Sequence, residues 1–133
     1  QKLMKNFLVT IFLLFSSEVY AEIVLYCMEE LSSGISKQSG SWDYGRFKPG
    51  DYTIKFSDDY KQLEIVDLAE NFDCAPTYIM GTTLSCISKG KKTIMFHYRP
   101  QDKRFVLATT SPFTGASEGN DTSEVSIGNC DSF

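Results

Sequence analysis

Short runs of β-forming residues, separated by turn residues, fill the chain from residue 22 onward, and no long stretch repeats with helical periodicity. The clearest run is 52–56, where Tyr52, Ile54 and Phe56 alternate with polar residues before a polar turn. Connections of a few residues between successive strands require antiparallel neighbours. We therefore predict an all-β fold, a small antiparallel meander of about seven or eight strands that is either barrel-like or a sandwich.

Several segments are harder to assign. The stretch 28–41 is polar and rich in Ser and Gly, which predicts a loop or a poorly specified hairpin, and 42–47 adds a strand. The stretch 69–76 is acidic and is predicted to be irregular. Residues 111–123 contain Pro, Gly and Asn, which predicts the longest loop, and 124–130 form the closing strand.

The N-terminus has the pattern of an export signal. A basic start precedes the apolar run 7–15 and a small-residue cleavage site that ends at Ala21. The apolar run is too short for a permanent membrane span, which needs roughly 20 apolar residues, although an uncleaved anchor is the competing interpretation. We predict a signal-peptide helix in residues 1–21, a single secreted β domain in residues 22–133, and no stable membrane span after cleavage.

Four cysteines follow the predicted cleavage site: Cys27, Cys74, Cys86 and Cys130. An even number in a small exported domain favours two disulfides, for which three pairings are possible. A Cys27–Cys130 bond would join the first and last strands and close the longest loop, leaving Cys74 and Cys86 in a short local loop. Zinc is disfavoured because no C-x-x-C spacing is present and His97 is the only histidine. We predict no metal and no other cofactor.

The charge balance narrows the classes of partner. The chain carries 13 basic and 17 acidic residues, and signal cleavage removes two lysines and one glutamate, which leaves a mature net charge of −5. Nucleic acid and anionic membrane surfaces demand clustered Lys and Arg, so neither is expected as a partner. The remaining candidates are a protein or a glycan, bound by a monomer.

Motifs for catalysis are weak. His97 lies in an alternating strand, where a single histidine is usually structural, and no nucleophile signature is present. Glu29 and Glu30 are the carboxylates that a small envelope hydrolase would use, but adjacent strand residues point to opposite faces. We therefore predict no catalytic residues.

Aromatic residues give the one positive indication of a site. Trp42, Tyr44 and Phe47 lie in a segment flanked by Ser and Gly, and exposed Tyr and Trp can stack on sugars or anchor protein contacts. The alternative is that these three residues close one end of a barrel. They are the predicted ligand-contact residues.

Two resemblances add to these expectations. The segments 25–27, 46–47, 51–56, 104–106 and 126–133 (LYC, RF, DYTIKF, RFV and SIGNCDSF) resemble small secreted proteins of SAR11-type marine bacteria. This resemblance implies a periplasmic location with oxidised cysteines and no particular active site. The architecture is also similar to periplasmic lysozyme inhibitor domains. Those are small β-barrels in which a cysteine near the start pairs with one at the end, as Cys27 and Cys130 would here.

The functional expectation is therefore a periplasmic or secreted, non-enzymatic binding or protective module. The alternatives are a small hydrolase that acts on the cell envelope through Glu29 or Glu30, and a structural envelope protein.

Overall fold

Nine antiparallel strands and one short 3-10 helix make up the part of the chain that the structure, a computed structural model, describes: residues 21–38, 41–77, 82–90, 93–111 and 122–133. The strands are β1 (Ile23–Gln38), β2 (Ser41–Phe47), β3 (Asp51–Phe56), β4 (Gln62–Ile65), β5 (Glu70–Thr77), β6 (Thr83–Ser88), β7 (Thr93–Arg99), β8 (Arg104–Ser111) and β9 (Thr122–Ser132), and the 3-10 helix is Val66–Leu68. The all-β prediction is confirmed. The expected signal-peptide helix lies outside the described residues.

Eight of these strands close into a barrel. The order runs β1, β3, β4, β5, β6, β7, β8, β9, and β9 pairs back with β1. Every pair along this order is antiparallel, as the short connections require. Of the two forms that the sequence leaves open, the barrel is the one observed.

Strand β1 is long enough to take part in two structures. Residues 23–28 pair with β3 inside the barrel, whereas 32–38 pair with β2, and β9 runs along the other side of both halves. The second half of β1 and the whole of β2 therefore project past the β3 side of the barrel, with β9 still paired along the other side of β1. We call residues 32–38 and 41–47 the hairpin extension.

Two sequence predictions are corrected by these strands. Most of 28–41 is strand rather than loop, because the second half of β1 is paired on both sides, and cross-strand pairing overrides the low strand preference of Ser and Gly. The hairpin alternative for this segment is the correct one. Residues 70–77 are also strand rather than irregular, since β5 lies between β4 and β6. The closing strand begins at Thr122, and residues 112–121 of the predicted loop lie outside the described part of the chain.

The barrel interior is filled by aromatic and aliphatic side chains that alternate along the strands. Fully buried large residues come from most of the barrel wall: Ile54, Phe56, Leu63, Ile65, Phe72, Phe96 and Phe105. Phe96 and Phe105 stack with ring centroids 5.5 Å apart. Because rings fill the interior, the closed part of the barrel is a packed core rather than a ligand cavity.

Two disulfides cross neighbouring strands on the inner side of this barrel. Cys27 of β1 faces Cys130 of β9 and bonds to it, and Cys74 of β5 bonds to Cys86 of β6. Of the three pairings that the sequence leaves open, the structure has the one that joins the first and last strands. The Cys27–Cys130 bond fastens the strands that close the barrel, and both bonds are consistent with an oxidising compartment.

In part of strand β9 the usual barrel pattern is reversed, because small and polar residues point inward and aliphatic residues point outward. Cys130 points inward, so Gly128 and Ser126 do as well, while Val125 and Ile127 point outward. A Cβ on Gly128 would overlap the Met28 carbonyl oxygen and would lie 2.7 Å from a ring carbon of Phe105, which explains why only glycine fits there. The register shifts opposite this position, where Glu30 is the extra residue of a β-bulge in β1.

Candidate functional site

The outer side of the hairpin extension exposes aromatic side chains beside a cation. Trp42 and Tyr44 are paired in register with Lys37 and Ile35, so all four point to the same side. Tyr44 is 86% exposed and Trp42 57% exposed. We call these four residues together with Arg46, which follows on the same side of β2, the hairpin face.

Charge on the hairpin face is of one sign. The Nζ of Lys37 lies 5.9 Å from the centroid of the Trp42 ring, within the range of a cation–π contact. Arg46 supplies the second cation. None of the eight side chains that share this side of β2, β1 and the start of β9 is acidic: Ser33, Ile35, Lys37, Trp42, Tyr44, Arg46, Ser123 and Val125. A chain with a net charge of −4 thus presents a cationic aromatic surface at this place.

Aliphatic residues continue this surface onto the barrel wall. The inverted pattern of β9 places Val125 next to the hairpin face, and the row Leu31, Ile127 and Val106 lies beside it across three strands. Leu31 is 44% exposed and Val125 is 50% exposed. Clustered exposed apolar residues are typical of a contact surface, whereas single ones are ordinary.

The structure separates the three aromatic residues that the sequence singled out. Trp42 and Tyr44 share the hairpin face, but Phe47 has the opposite parity in β2 and is paired with the buried Ser32. Phe47 is half-buried, whereas the other two side chains are exposed. Two of the predicted contact residues are thus brought together, and Trp42 and Tyr44 do not close the end of the barrel.

Glu29 and Glu30 are not brought together. Glu29 points into the barrel and is 8% exposed, while Glu30 is exposed on the outside at the bulge and accepts a hydrogen bond from Asn129 Nδ2. The opposite-face prediction for these neighbours is therefore confirmed. As placed, the two carboxylates do not flank a common bond, which is the arrangement that glycoside hydrolysis requires.

The Glu29 carboxylate has a structural role at the point where the chain enters β3. Its Oε2 accepts the Gly50 N–H at 2.7 Å, and its Oε1 accepts the Tyr52 hydroxyl at 2.9 Å. The Glu29 N–H also donates to the Gly50 carbonyl at 2.9 Å. Burial, followed by the hydrogen bond to Glu29 and the negative charges of Glu29, Glu124 and Asp67, raises the pKa of Tyr52 well above its usual value. Glu29 therefore fastens the turn between β2 and β3.

A second polar group joins the middle of β1 to the middle of β9. Ser126 Oγ donates to Ser32 Oγ at 2.9 Å, and Ser32 Oγ donates to Glu124. Both serines are almost fully buried. Among the described residues, every buried side-chain oxygen or nitrogen has a hydrogen-bond partner, so this part of the barrel offers no unmatched donor or acceptor to a ligand.

His97 lies on the outer wall of the barrel, half-buried. Its Nδ1 is 3.0 Å from Ser85 Oγ, and Ser85 Oγ is 2.7 Å from Thr77 Oγ1. A catalytic Ser–His pair would also need a group that orients the second ring nitrogen and donors for an oxyanion. None of the hydrogen bonds made by the described residues orients the second ring nitrogen. Thr77, Ser85 and His97 therefore form a row of hydrogen-bonded polar side chains across β5, β6 and β7.

Within the described ranges, no helix is long and apolar enough to cross a membrane, and no three His, Cys, Asp or Glu side chains are grouped to hold a metal ion. Comparison of the chain with protein-family models, curated proteins and solved structures gave no match. The hairpin face is therefore the feature of the molecule from which a function can be inferred.

Proposed function

We propose that the protein is a periplasmic or secreted, non-enzymatic binding module whose hairpin face holds an acidic segment of a partner protein. The observation that carries this proposal is the exposure of Trp42 and Tyr44 on a surface where Lys37 and Arg46 lie and where none of the described residues is a carboxylate. The two disulfides and the export signal predicted from the sequence support the compartment.

Charge favours an acidic partner. Lys37 lies directly opposite Trp42 and Arg46 follows Tyr44 on the same side of β2, while the rest of the chain is acidic overall. Complementary potentials increase the rate of encounter and exclude partners of like charge. An acidic segment is attracted to the hairpin face and repelled by the remaining surface, which fixes where it binds.

Neighbouring side chains favour a protein over a glycan. Sugar hydroxyls lose hydrogen bonds to water on binding and need donors and acceptors in return. Ile35 lies directly opposite Tyr44, and Val125 and Leu31 continue the surface as aliphatic residues, with Ser33 and Ser123 as its neutral polar groups. Tyr, Trp and Arg are the residues most enriched among the energetic centres of protein interfaces.

The test uses Trp42 as an internal probe, because it is the only tryptophan in the chain. We expect a synthetic peptide of glutamates with a leucine at each end to change Trp42 fluorescence, with an affinity that falls as salt rises. A matched lysine peptide should have no effect. Lys37→Glu should weaken binding of the glutamate peptide on the order of tenfold, since it places an anion beside the ring.

Lys48→Glu is the matched control, because it makes the same charge change at an exposed residue just outside β2. It should bind the glutamate peptide nearly as well as the wild type. Equal response to both peptides would overturn the proposal. So would a fluorescence change with neutral oligosaccharides but not with the glutamate peptide, which would favour a glycan site.

A further inference from the structure

The outer edge of β2 is an open strand edge. Strand β2 pairs with β1 along its whole length, and no other strand in the described part of the chain pairs with its second side. All residues of β2 except Phe47 are exposed. An exposed edge of this kind presents a row of N–H and C=O groups to any strand that fits it.

One hydrogen bond shows which backbone groups face this edge. The Tyr44 N–H donates to the Asp43 side chain at 2.8 Å and therefore does not take part in the ladder with β1. In an antiparallel ladder, residues alternate between bonding one neighbouring strand and facing the other side. The N–H and C=O groups of Trp42, Tyr44 and Arg46 consequently face the open edge.

We propose that a second copy of this chain occupies the edge, with β2 pairing antiparallel to β2 about a two-fold axis at Tyr44. This register places Tyr44 opposite Tyr44 and Trp42 opposite Arg46 of the other copy. All three residues that face the edge then form hydrogen-bonded pairs. A two-fold interface requires a self-complementary surface, and β2 meets this condition.

The side chains support the same register. Aromatic pairs directly opposite one another stabilise an antiparallel pair, and an arginine opposite a tryptophan adds a cation–π contact. The two contacts between Trp42 and Arg46 are equivalent by symmetry. Asp43 lies opposite Gly45, so the register opposes no two like charges in β2. The proposed dimer differs from the monomer that the sequence analysis predicts.

Asp43 sets the strength of this pairing. Its carboxylate accepts the hydrogen bond of the Tyr44 N–H in the monomer. When a dimer forms, that bond must be replaced by one to the second copy of β2. Asp43→Ala frees the donor and should strengthen dimerisation several-fold. Tyr44→Pro removes the donor and should weaken dimerisation on the order of tenfold, since each copy loses one hydrogen bond. The proline is compatible with the hairpin because this N–H faces away from β1.

Cysteine crosslinking of the full chain tests the register. Two copies of Tyr44 in a hydrogen-bonded antiparallel pair have Cα atoms about 5.5 Å apart, a separation that a disulfide can bridge. Tyr44→Cys should therefore form a covalent dimer under mild oxidation. Ser41→Cys is the matched control, since two copies of residue 41 would lie roughly 20 Å apart along the strands and should crosslink far more slowly.

Sedimentation of the wild type, Asp43→Ala and Tyr44→Pro over a range of concentrations gives the association constants. The expected order is Asp43→Ala tightest and Tyr44→Pro weakest. A monomer in all three, or equal crosslinking at 41 and 44, would overturn the proposal. If the chain is monomeric and a cysteine at 44 reacts quickly with a small thiol reagent, the edge is open and its partner would be another protein. If the chain is monomeric and this cysteine does not react with the reagent, another segment of the same chain covers the edge. Either result would also refute the dimer.

This proposal concerns the backbone edge of β2, whereas the proposed function concerns the side chains of the hairpin face. Lys37→Glu changes the face without changing the edge donors, whereas Asp43→Ala changes the edge while leaving the five residues of the hairpin face in place. A wild type that dimerises but does not bind the glutamate peptide would therefore refute the function alone. A wild type that binds the peptide but stays monomeric would refute only the dimer.

Discussion

The barrel and the hairpin extension use the same β-ladder for different purposes. In the barrel, inward side chains such as Phe96 are fully buried, so each strand is held by its ladder and by its core contacts. In β2, the ladder is the main attachment, because every side chain except Phe47 is exposed. The comparison implies that stability is concentrated in the barrel, while the side chains of β2 are free to serve binding.

The largest expected effect comes from the disulfide that closes the barrel. Cys27 and Cys130 are 103 residues apart in sequence, and Cys74 and Cys86 are 12 apart. In the chain-entropy account, removing the long link costs about 4 to 5 kcal/mol and removing the short one about 3 kcal/mol. The double variant Cys27→Ala with Cys130→Ala should therefore have the lower free energy of unfolding in urea. A larger loss for the Cys74 and Cys86 pair would contradict this order.

A smaller effect is expected at the junction between the two regions. Glu29→Ala removes the acceptor of the Gly50 N–H and of the Tyr52 hydroxyl, and we expect a loss of about 2 to 3 kcal/mol in the free energy of unfolding. Glu30→Ala is the control at an exposed neighbour and should change stability by less than about 0.5 kcal/mol. Equal effects would mean that Glu29 does not hold the turn.

Much of the barrel was predictable from alternation. Tyr52, Ile54 and Phe56 in β3 and the residues of β7 show the expected period of two, and the predicted export signal together with four cysteines indicated the disulfides. The hairpin extension was missed in part, because Ser and Gly give a weak strand signal and only pairing on both sides makes this segment a strand.

The apolar continuation of the hairpin face was hidden by the inverted pattern of β9. Alternation alone would place Val125 and Ile127 inside, whereas Gly128 and Ser126 occupy the inner positions. The position of Cys130 could have revealed this reversal. A cysteine bonded within the barrel fixes which alternate residues of its strand point to the core. The bulge at Glu30 also reverses parity along β1, and no local sequence rule predicts its position.

Alkaline pH provides a milder test of the junction. The pKa of Tyr52 is raised by burial and by the hydrogen bond to Glu29, so the protonated hydroxyl is favoured in the folded state. Its contribution to stability is complete below pH 10, the value for an unfolded tyrosine, and is lost as the pH rises above 10. Denaturation between pH 8 and about 11 should show this decline, and Tyr52→Phe should make it shallower.

The decline should not vanish in Tyr52→Phe, because burial also raises the pKa of Tyr98. Tyr44→Phe is the matched control in the exposed hairpin face and should keep the wild-type slope. An unchanged slope in Tyr52→Phe would show that the junction with Glu29 does not couple to the titration of Tyr52.

The smallest expected effect is also the most direct test of the comparison. Tyr44→Ala and Trp42→Ala should each change the free energy of unfolding by less than about 0.5 kcal/mol, because each substitution removes only cross-strand packing on an exposed face. Phe47→Ala, on the opposite side of the same strand and half-buried, should cost more. If Tyr44→Ala and Trp42→Ala lowered the free energy of unfolding as much as Phe47→Ala, the two exposed rings would be packing against another part of the protein and stabilising it. Their exposure would then no longer argue for a binding role.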